Sequence, residues 1–184
     1  MTPSQSKYGN EYNISKSIIV TEEMKESIQD FDCGNEALNS YLKEKSYNDP
    51  RAVTFVIKDK DSDKIVCYYT LNCTALVINP TEKSDIVLCP SVEIKMFAVD
   101  ENYQHIAYSQ DPDDGSLSDL LLADAISRIY DFTENQCGAD KITLHAVPKA
   151  VNFYAKNGFR LFEDYMIPVL DWFTEGCIPM YMDL

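Results

Sequence analysis

The chain has 184 residues, enough for one domain with a proper hydrophobic core, and its 45% hydrophobic and 11% aromatic content argues against disorder. A formal net charge of −14 and a pI near 4.4 oppose general binding to a polyanion. No apolar run approaches the roughly 20 residues of a membrane span, and the polar start MTPSQSKYGNEYNISK lacks an apolar signal core, so the expected location is cytoplasmic, away from the membrane.

Residues 1–16 read as a flexible N-terminal arm, and residues 17–184 as a single domain. SIIV at 17–20 predicts an opening strand. In NEALNSYLKEKSY, Leu38, Tyr41 and Leu42 fall at helical spacing behind Asn35, a good N-cap. The β-branched and aromatic runs AVTFVIK (52–58) and KIVCYYTLNCTALVI (64–78) flank DKDSD and predict an antiparallel hairpin; SVEIKMFAV (91–99) alternates and is a further strand. From Ser116 to Gln136 the stripe Leu117, Leu121, Leu122, Ala125, Ile126 and Ile129 predicts a long helix, capped by Ser116 or Ser118 and stopped by Gly138. KITLHAV (141–147) is a strand, Pro148 opens a short helix, and FRLFE and IPMYMDL are the last strands.

This order is α+β: a twisted mixed sheet of six or seven mostly antiparallel strands flanked by helices. Strands 91–99 and 141–147 should lie parallel across the long helix. The cysteines Cys33, Cys67, Cys73, Cys89, Cys137 and Cys177 form no C-x-x-C pair, and His105 and His145 are far apart; reduced thiols, packed or solvated histidines and no metal site are expected. Against the acidic background, residues 141–160 hold Lys141, Lys149, Lys156 and Arg160 and no acid. That segment is either a solvated basic face or a local anion site.

Three local matches, FAVD-x-x-YQ after the fourth strand, LL-x-A-DA in the long helix and NFYAKNGF near the end, resemble the Gcn5-related N-acetyltransferase (GNAT) superfamily. FDCGNEALNSYL, YYTLN, LHAVPKAVNFY and MYMDL are similar to its branch of acetyltransferase toxins from toxin–antitoxin pairs. The resemblance spans residues 31–184. It implies the GNAT fold, acetyl-coenzyme A as co-substrate without a metal, and an amine acceptor, which in the toxin branch is an aminoacyl-tRNA. It further implies a ribbon-helix-helix antitoxin as partner and admits a homodimer.

The resemblance also assigns residues. The main chain of Phe97, Ala98 and Val99 would polarise the thioester and hold the pantetheine arm where the strands splay. Gly115, Ser116, Leu117, Ser118 and Asp119 would receive the pyrophosphate at the helix N-terminus. The usual two glycines of that loop are Ser116 and Ser118 here, Asp113 stands at the basic or Gln position, and the superfamily's Asn after the penultimate strand is Val147. Residues 105–114, HIAYSQDPDD, form an acidic insert. Serines keep the amides that bind phosphate, whereas a carboxylate about 5 Å from a phosphate costs on the order of 1–3 kcal/mol unless solvent screens it.

Acyl transfer to an amine requires a neutral amine, donors for the oxyanion and a proton for the departing thiolate. Glu93 is the candidate general base, matching the EI-x-x-x-AV run of histone-acetyltransferase members; its other reading is an outward-facing charge on an alternating strand. Tyr154 of FY-x-x-x-GF is the candidate general acid, since a phenol near pKa ~10 suits a thiolate near ~8.5. The competing function is a GNAT-fold protein that no longer catalyses and serves as a protein-interaction module.

Overall fold

The computed structural model describes residues 13–79, 85–107, 115–168 and 174–184. These form two compact units. One holds the chain up to Thr70 together with Met96–Ile126; the other holds Leu71–Lys95 and Ser127–Leu184. Among the described residues the strands are β1 (Ile18–Ile19), β2 (Val53–Lys58), β3 (Ile65–Ile78), β4 (Val87–Val99), β5 (Lys141–Ala146), β6 (Arg160–Leu161), β7 (Met166–Ile167) and β8 (Ile178–Asp183). The helices are α1 (Glu36–Ser40), α2 (Leu117–Asn135) and α3 (Val151–Lys156). Strand order is β1-β2-β3-β4-β5-β8-β6, with β7 on β3.

In the first unit β1 pairs antiparallel with β2. The expected hairpin closes through Asp59 N–H donating to the Lys64 carbonyl at 2.9 Å, while the Asp59 carboxylate accepts from Asp61 N–H at 2.8 Å and the Ser62 hydroxyl at 3.0 Å. The expected arm lies outside the described residues through residue 12. Its last residues are held: Ile14 bridges Asp59, and Ser15 N–H donates to the Lys58 carbonyl at 2.7 Å. Asn35 caps α1 through its side-chain oxygen, bonded by the amides of Ala37 at 3.0 Å and Leu38 at 3.3 Å. Beyond Ser40 the turn widens to a π-helix over Tyr41–Lys45, which buries both Tyr41 and Leu42. Aromatic pairs bind this unit: Phe31 meets Tyr68 edge-on at 5.4 Å, and Phe55 stacks on Tyr69 at 5.3 Å.

The second unit contains the predicted parallel pair, β4 with β5, in register from Ser91/Lys141 to Ile94/Leu144. Strand β5 then pairs antiparallel with β8 along its whole length, and β6 with β8. Leu76, Cys89, Met166 and Tyr181 form a buried cluster with Phe162 against it. The strand β7, absent from the expected six or seven, is two residues long, too short to leave a periodicity; it pairs Met166 with Ile78.

Candidate active site

In the first unit the FAVD-x-x-YQ stretch folds as an anchor. Asp100, 6% exposed, accepts from Asp32 N–H at 3.1 Å with one oxygen and from Asn102 N–H at 3.0 Å with the other, capping a 3-10 turn over Glu101–Tyr103. The Gln104 amide donates to the Val99 carbonyl at 2.7 Å and the Cys33 carbonyl at 3.1 Å. The Asp32 carboxylate accepts from Gly34 N–H and the Asn39 amide, which together hold its pKa below the usual carboxylate value. Phe97, Ala98 and Val99 therefore close a strand whose end is fixed by two polar side chains, Asp100 and Gln104, with Ala98 and Val99 buried.

The insert begins and ends on paired backbone. Ala107 bridges Ser116, and Leu117 N–H donates to the Ile106 carbonyl at 2.9 Å, whereas Asp111, Asp113 and Asp114 lie outside the described residues. The start of α2 is a reciprocal cap. The Asp119 carboxylate accepts from Ser116 N–H at 2.6 Å and the Ser116 hydroxyl at 2.8 Å, and Asp119 N–H returns to the Ser116 hydroxyl at 3.3 Å. Gly115 is needed for this closure. Its φ is +82°, in the left-handed region, and an added Cβ would stand 2.8 Å from the Asp119 carboxylate. Leu117, Leu121, Leu122 and Ala125 bury the inner face of α2, and Asp124 accepts from the buried Tyr69 hydroxyl at 2.7 Å.

In the second unit Glu93 is one-sixth exposed on β4, and its Oε1 stands 3.1 Å from His145 Nδ1 on β5. The His145 side chain is 9% exposed. Its Nε2 is buried without a hydrogen-bond partner among the described residues. Tyr154 is buried on α3, its ring edge-on to Phe159 at 5.9 Å, and Phe159 N–H donates to the Tyr154 carbonyl at 3.1 Å. Pro148 opens the preceding 3-10 turn, as expected.

No protein-family profile matches the sequence, and no curated protein matches it. Solved structures do. The crystal structure of a bacterial toxin is 19% identical at a TM-score of 0.69, covering 92% of this chain and 90% of its own. AtaT complexed with acetyl-methionyl-tRNAfMet is 20% identical at a TM-score of 0.67, over 92% of this chain and 94% of that one. AtaTR bound with acetyl-coenzyme A is 21% identical at a TM-score of 0.62, over 93% of both chains. The chain has the GNAT fold.

Within this GNAT fold three polar partnerships stand out, one inside a single helical turn and two between distant segments. The Asp119 side chain bonds Ser116, one of the two expected caps of α2. His145, expected to be packed or solvated, bonds Glu93, 52 residues away. Of the four cations in 141–160, two are matched by Asp183: Lys141 at 2.6 Å and Arg160, whose guanidinium also lies 4.8 Å from the Tyr181 ring centroid. The hydrogen bond from Lys141 holds the Asp183 carboxyl below its usual pKa, and Asp183 raises Lys141 in return. The capping box S-x-x-D was visible in the sequence; the other two pairs join distant segments and leave no local signal.

Proposed function

We propose that this chain is an acetyl-coenzyme A-dependent N-acetyltransferase of the toxin kind, acting on the amino group of an aminoacyl-tRNA and neutralised by an antitoxin. The observation that carries the reading is the start of α2, where the amide and hydroxyl of Ser116 already hold an anion, the Asp119 carboxylate. A pyrophosphate makes the same demand of those donors, so the coenzyme fits once the Asp119 side chain turns aside. Gly115, Ser116, Leu117, Ser118 and Asp119 would hold its phosphates through the main chain, and Phe97, Ala98 and Val99 its pantetheine arm. When bound, the coenzyme supplies an acetyl group on a thioester.

The chain's own residues supply the proton transfers. Tyr154 acts as general acid toward the leaving sulfur, and the Glu93 side of β4 takes the proton of the amine. Lys149 and Lys156 are exposed on the Tyr154 segment, where phosphate can approach a protein of overall charge −14. AtaT has been solved with acetyl-methionyl-tRNA, and a tyrosine-to-phenylalanine mutant of AtaT with the C-terminus of its antitoxin and acetyl-coenzyme A. These support the acceptor class and the partner; a ribbon-helix-helix antitoxin and a homodimer belong to the same proposal.

The same carboxylate favours a second reading, a protein whose coenzyme seat is permanently filled from within and which serves as an interaction module. Incubation with labelled acetyl-coenzyme A and a panel of aminoacyl-tRNAs separates the two. Label transferred to the α-amino group supports the enzyme. Absence of transfer to every aminoacyl-tRNA, small amine and peptide, with no coenzyme retained by the protein, supports the module.

A further inference from the structure

Three side-chain polar atoms are buried without a partner among the described residues, Asn72 Oδ1, Asn79 Oδ1 and His145 Nε2, and of these only His145 Nε2 belongs to a titratable group. A buried nitrogen without a partner costs about 1–3 kcal/mol, so a structure that keeps one must recover the cost elsewhere. Here the other ring nitrogen is bound to a carboxylate. With Glu93 Oε1 at 3.1 Å, Nδ1 carries the hydrogen and donates it, which leaves the lone pair on Nε2. That is the arrangement by which a carboxylate orients an imidazole as a base: it fixes the tautomer and stabilises the imidazolium once a proton arrives.

Resting on the acetyltransferase reading, we propose that His145 Nε2 is the atom that takes the proton from the acceptor amine, directly or through one water, and that Glu93 is the positioning residue that holds the ring. In this step an N–H bond of the acceptor's ammonium breaks, its electron pair stays on the amine nitrogen, and a new N–H bond forms at Nε2. The resulting imidazolium faces the Glu93 carboxylate as an ion pair. The neutral amine is then the nucleophile, and no further co-reactant is required.

The surroundings leave the pair to act together. Strand alternation and the ladder register put Lys95 of β4, Lys141 and Thr143 of β5, and Tyr181 and Asp183 of β8 on the same sheet face. Lys141 is bound to Asp183 at 2.6 Å, and Arg160 of β6 adds to that carboxylate. Glu93 is the group that bonds the imidazole among the described residues.

His145→Asn is the decisive variant, because its amide keeps a donor at the Nδ1 position for Glu93 while deleting Nε2. The readouts are acetyl transfer to an aminoacyl-tRNA across pH 6–9, thermal unfolding, and the ¹⁵N NMR signals of the imidazole in the unsubstituted protein. We expect His145→Asn to keep its fold and coenzyme binding, and to lose roughly 10²–10⁴-fold in turnover near neutrality, with partial recovery at high pH where the amine is neutral unaided. Nδ1 should carry the proton and Nε2 none above neutral pH, and Glu93→Gln should weaken that preference. Transfer by His145→Asn within a few-fold of the unsubstituted protein, with an unchanged pH profile, overturns this assignment and leaves the acetyltransferase standing. A hydrogen on Nε2 rather than Nδ1 overturns it independently of turnover, and also decides the matter if His145→Asn does not fold. No transfer by the unsubstituted protein overturns the acetyltransferase reading and this step with it.

Discussion

The start of α2 and the Glu93–His145 pair are both polar sites built around one carboxylate, and they use it in opposite ways. Asp119 turns inward on its own helix and takes the Ser116 amide and hydroxyl, at 2.6 and 2.8 Å, so donors that could serve a ligand are occupied from within. Glu93 spends its hydrogen bond on a neighbouring strand and leaves the far nitrogen of that partner unsatisfied. The first arrangement is satisfied within itself; the second keeps a buried nitrogen unpaired, at a cost. In the roles proposed for them, the first would set how tightly a phosphate can compete and the second how fast a proton can leave. Affinity and rate should therefore answer to different residues.

The largest expected effect tests the rate side. Tyr154→Phe removes one hydroxyl and keeps the ring that packs on Phe159, so fold and coenzyme affinity should persist. Turnover should fall roughly 10²–10⁴-fold with little change in the Michaelis constant for acetyl-coenzyme A, measured by steady-state kinetics. Full turnover would make the phenol a packing group and leave the proton chemistry to the Glu93–His145 side alone.

A smaller effect concerns phenols in the first unit that, like Ser116, are satisfied by carboxylates. Tyr41 donates to Asp49 at 3.0 Å, and burial above all raises its pKa to about 12; Tyr103 donates to Asp59 at 2.8 Å and is raised likewise to about 12. A raised phenol favours the folded state fully below the unfolded pKa of about 10, and that stability is lost as pH climbs from about 10 to 12. Alkaline denaturant titrations should show a loss of about 1–2 kcal/mol over that window, and Tyr41→Phe should reduce it, leaving the part due to Tyr103.

Next comes the cap itself. Ser116→Ala removes the hydroxyl that joins both halves of the box and should cost about 1 kcal/mol of stability in a urea melt. No loss would mean the start of α2 is less closed than its hydrogen bonds indicate. The smallest effect is at Asp183, half exposed and paired with Lys141. Its lowered pKa gives stability present above the usual carboxylate value near 3.9 and lost as pH falls below it, and at this exposure Asp183→Asn should cost at most about 0.5 kcal/mol at neutral pH.

What could be read from the sequence follows the same division. Elements with a period or a cap were legible: the stripe of α2, Asn35 before α1, the DKDSD hairpin, and the parallel neighbours β4 and β5. Their order gave the α+β class, and the GNAT fold was implied by the resemblance of FAVD-x-x-YQ, LL-x-A-DA and NFYAKNGF. Two-residue β7 and the π-turn at Tyr41–Lys45 were not legible, because neither is long enough to set a period and both depend on packing. The motif pointed to Glu93 as a general base or an outward-facing charge and carried no sign of His145; their bond arises only because a parallel ladder sets β5 beside β4. The pairing of Lys141 and Arg160 with Asp183 of the last strand likewise has no local signal, because the ladder brings those segments together.

Isothermal titration of acetyl-coenzyme A into the unsubstituted protein and into Asp119→Asn tests the central claim most directly. The asparagine keeps an acceptor for the Ser116 amide and removes the negative charge that competes with a phosphate. Binding to both proteins is predicted, about tenfold tighter for Asp119→Asn, the equivalent of about 1.4 kcal/mol, with the gap shrinking at high salt. Equal affinities would contradict the claim that Asp119 fills the coenzyme's seat, and no binding to either protein would contradict the acetyltransferase itself.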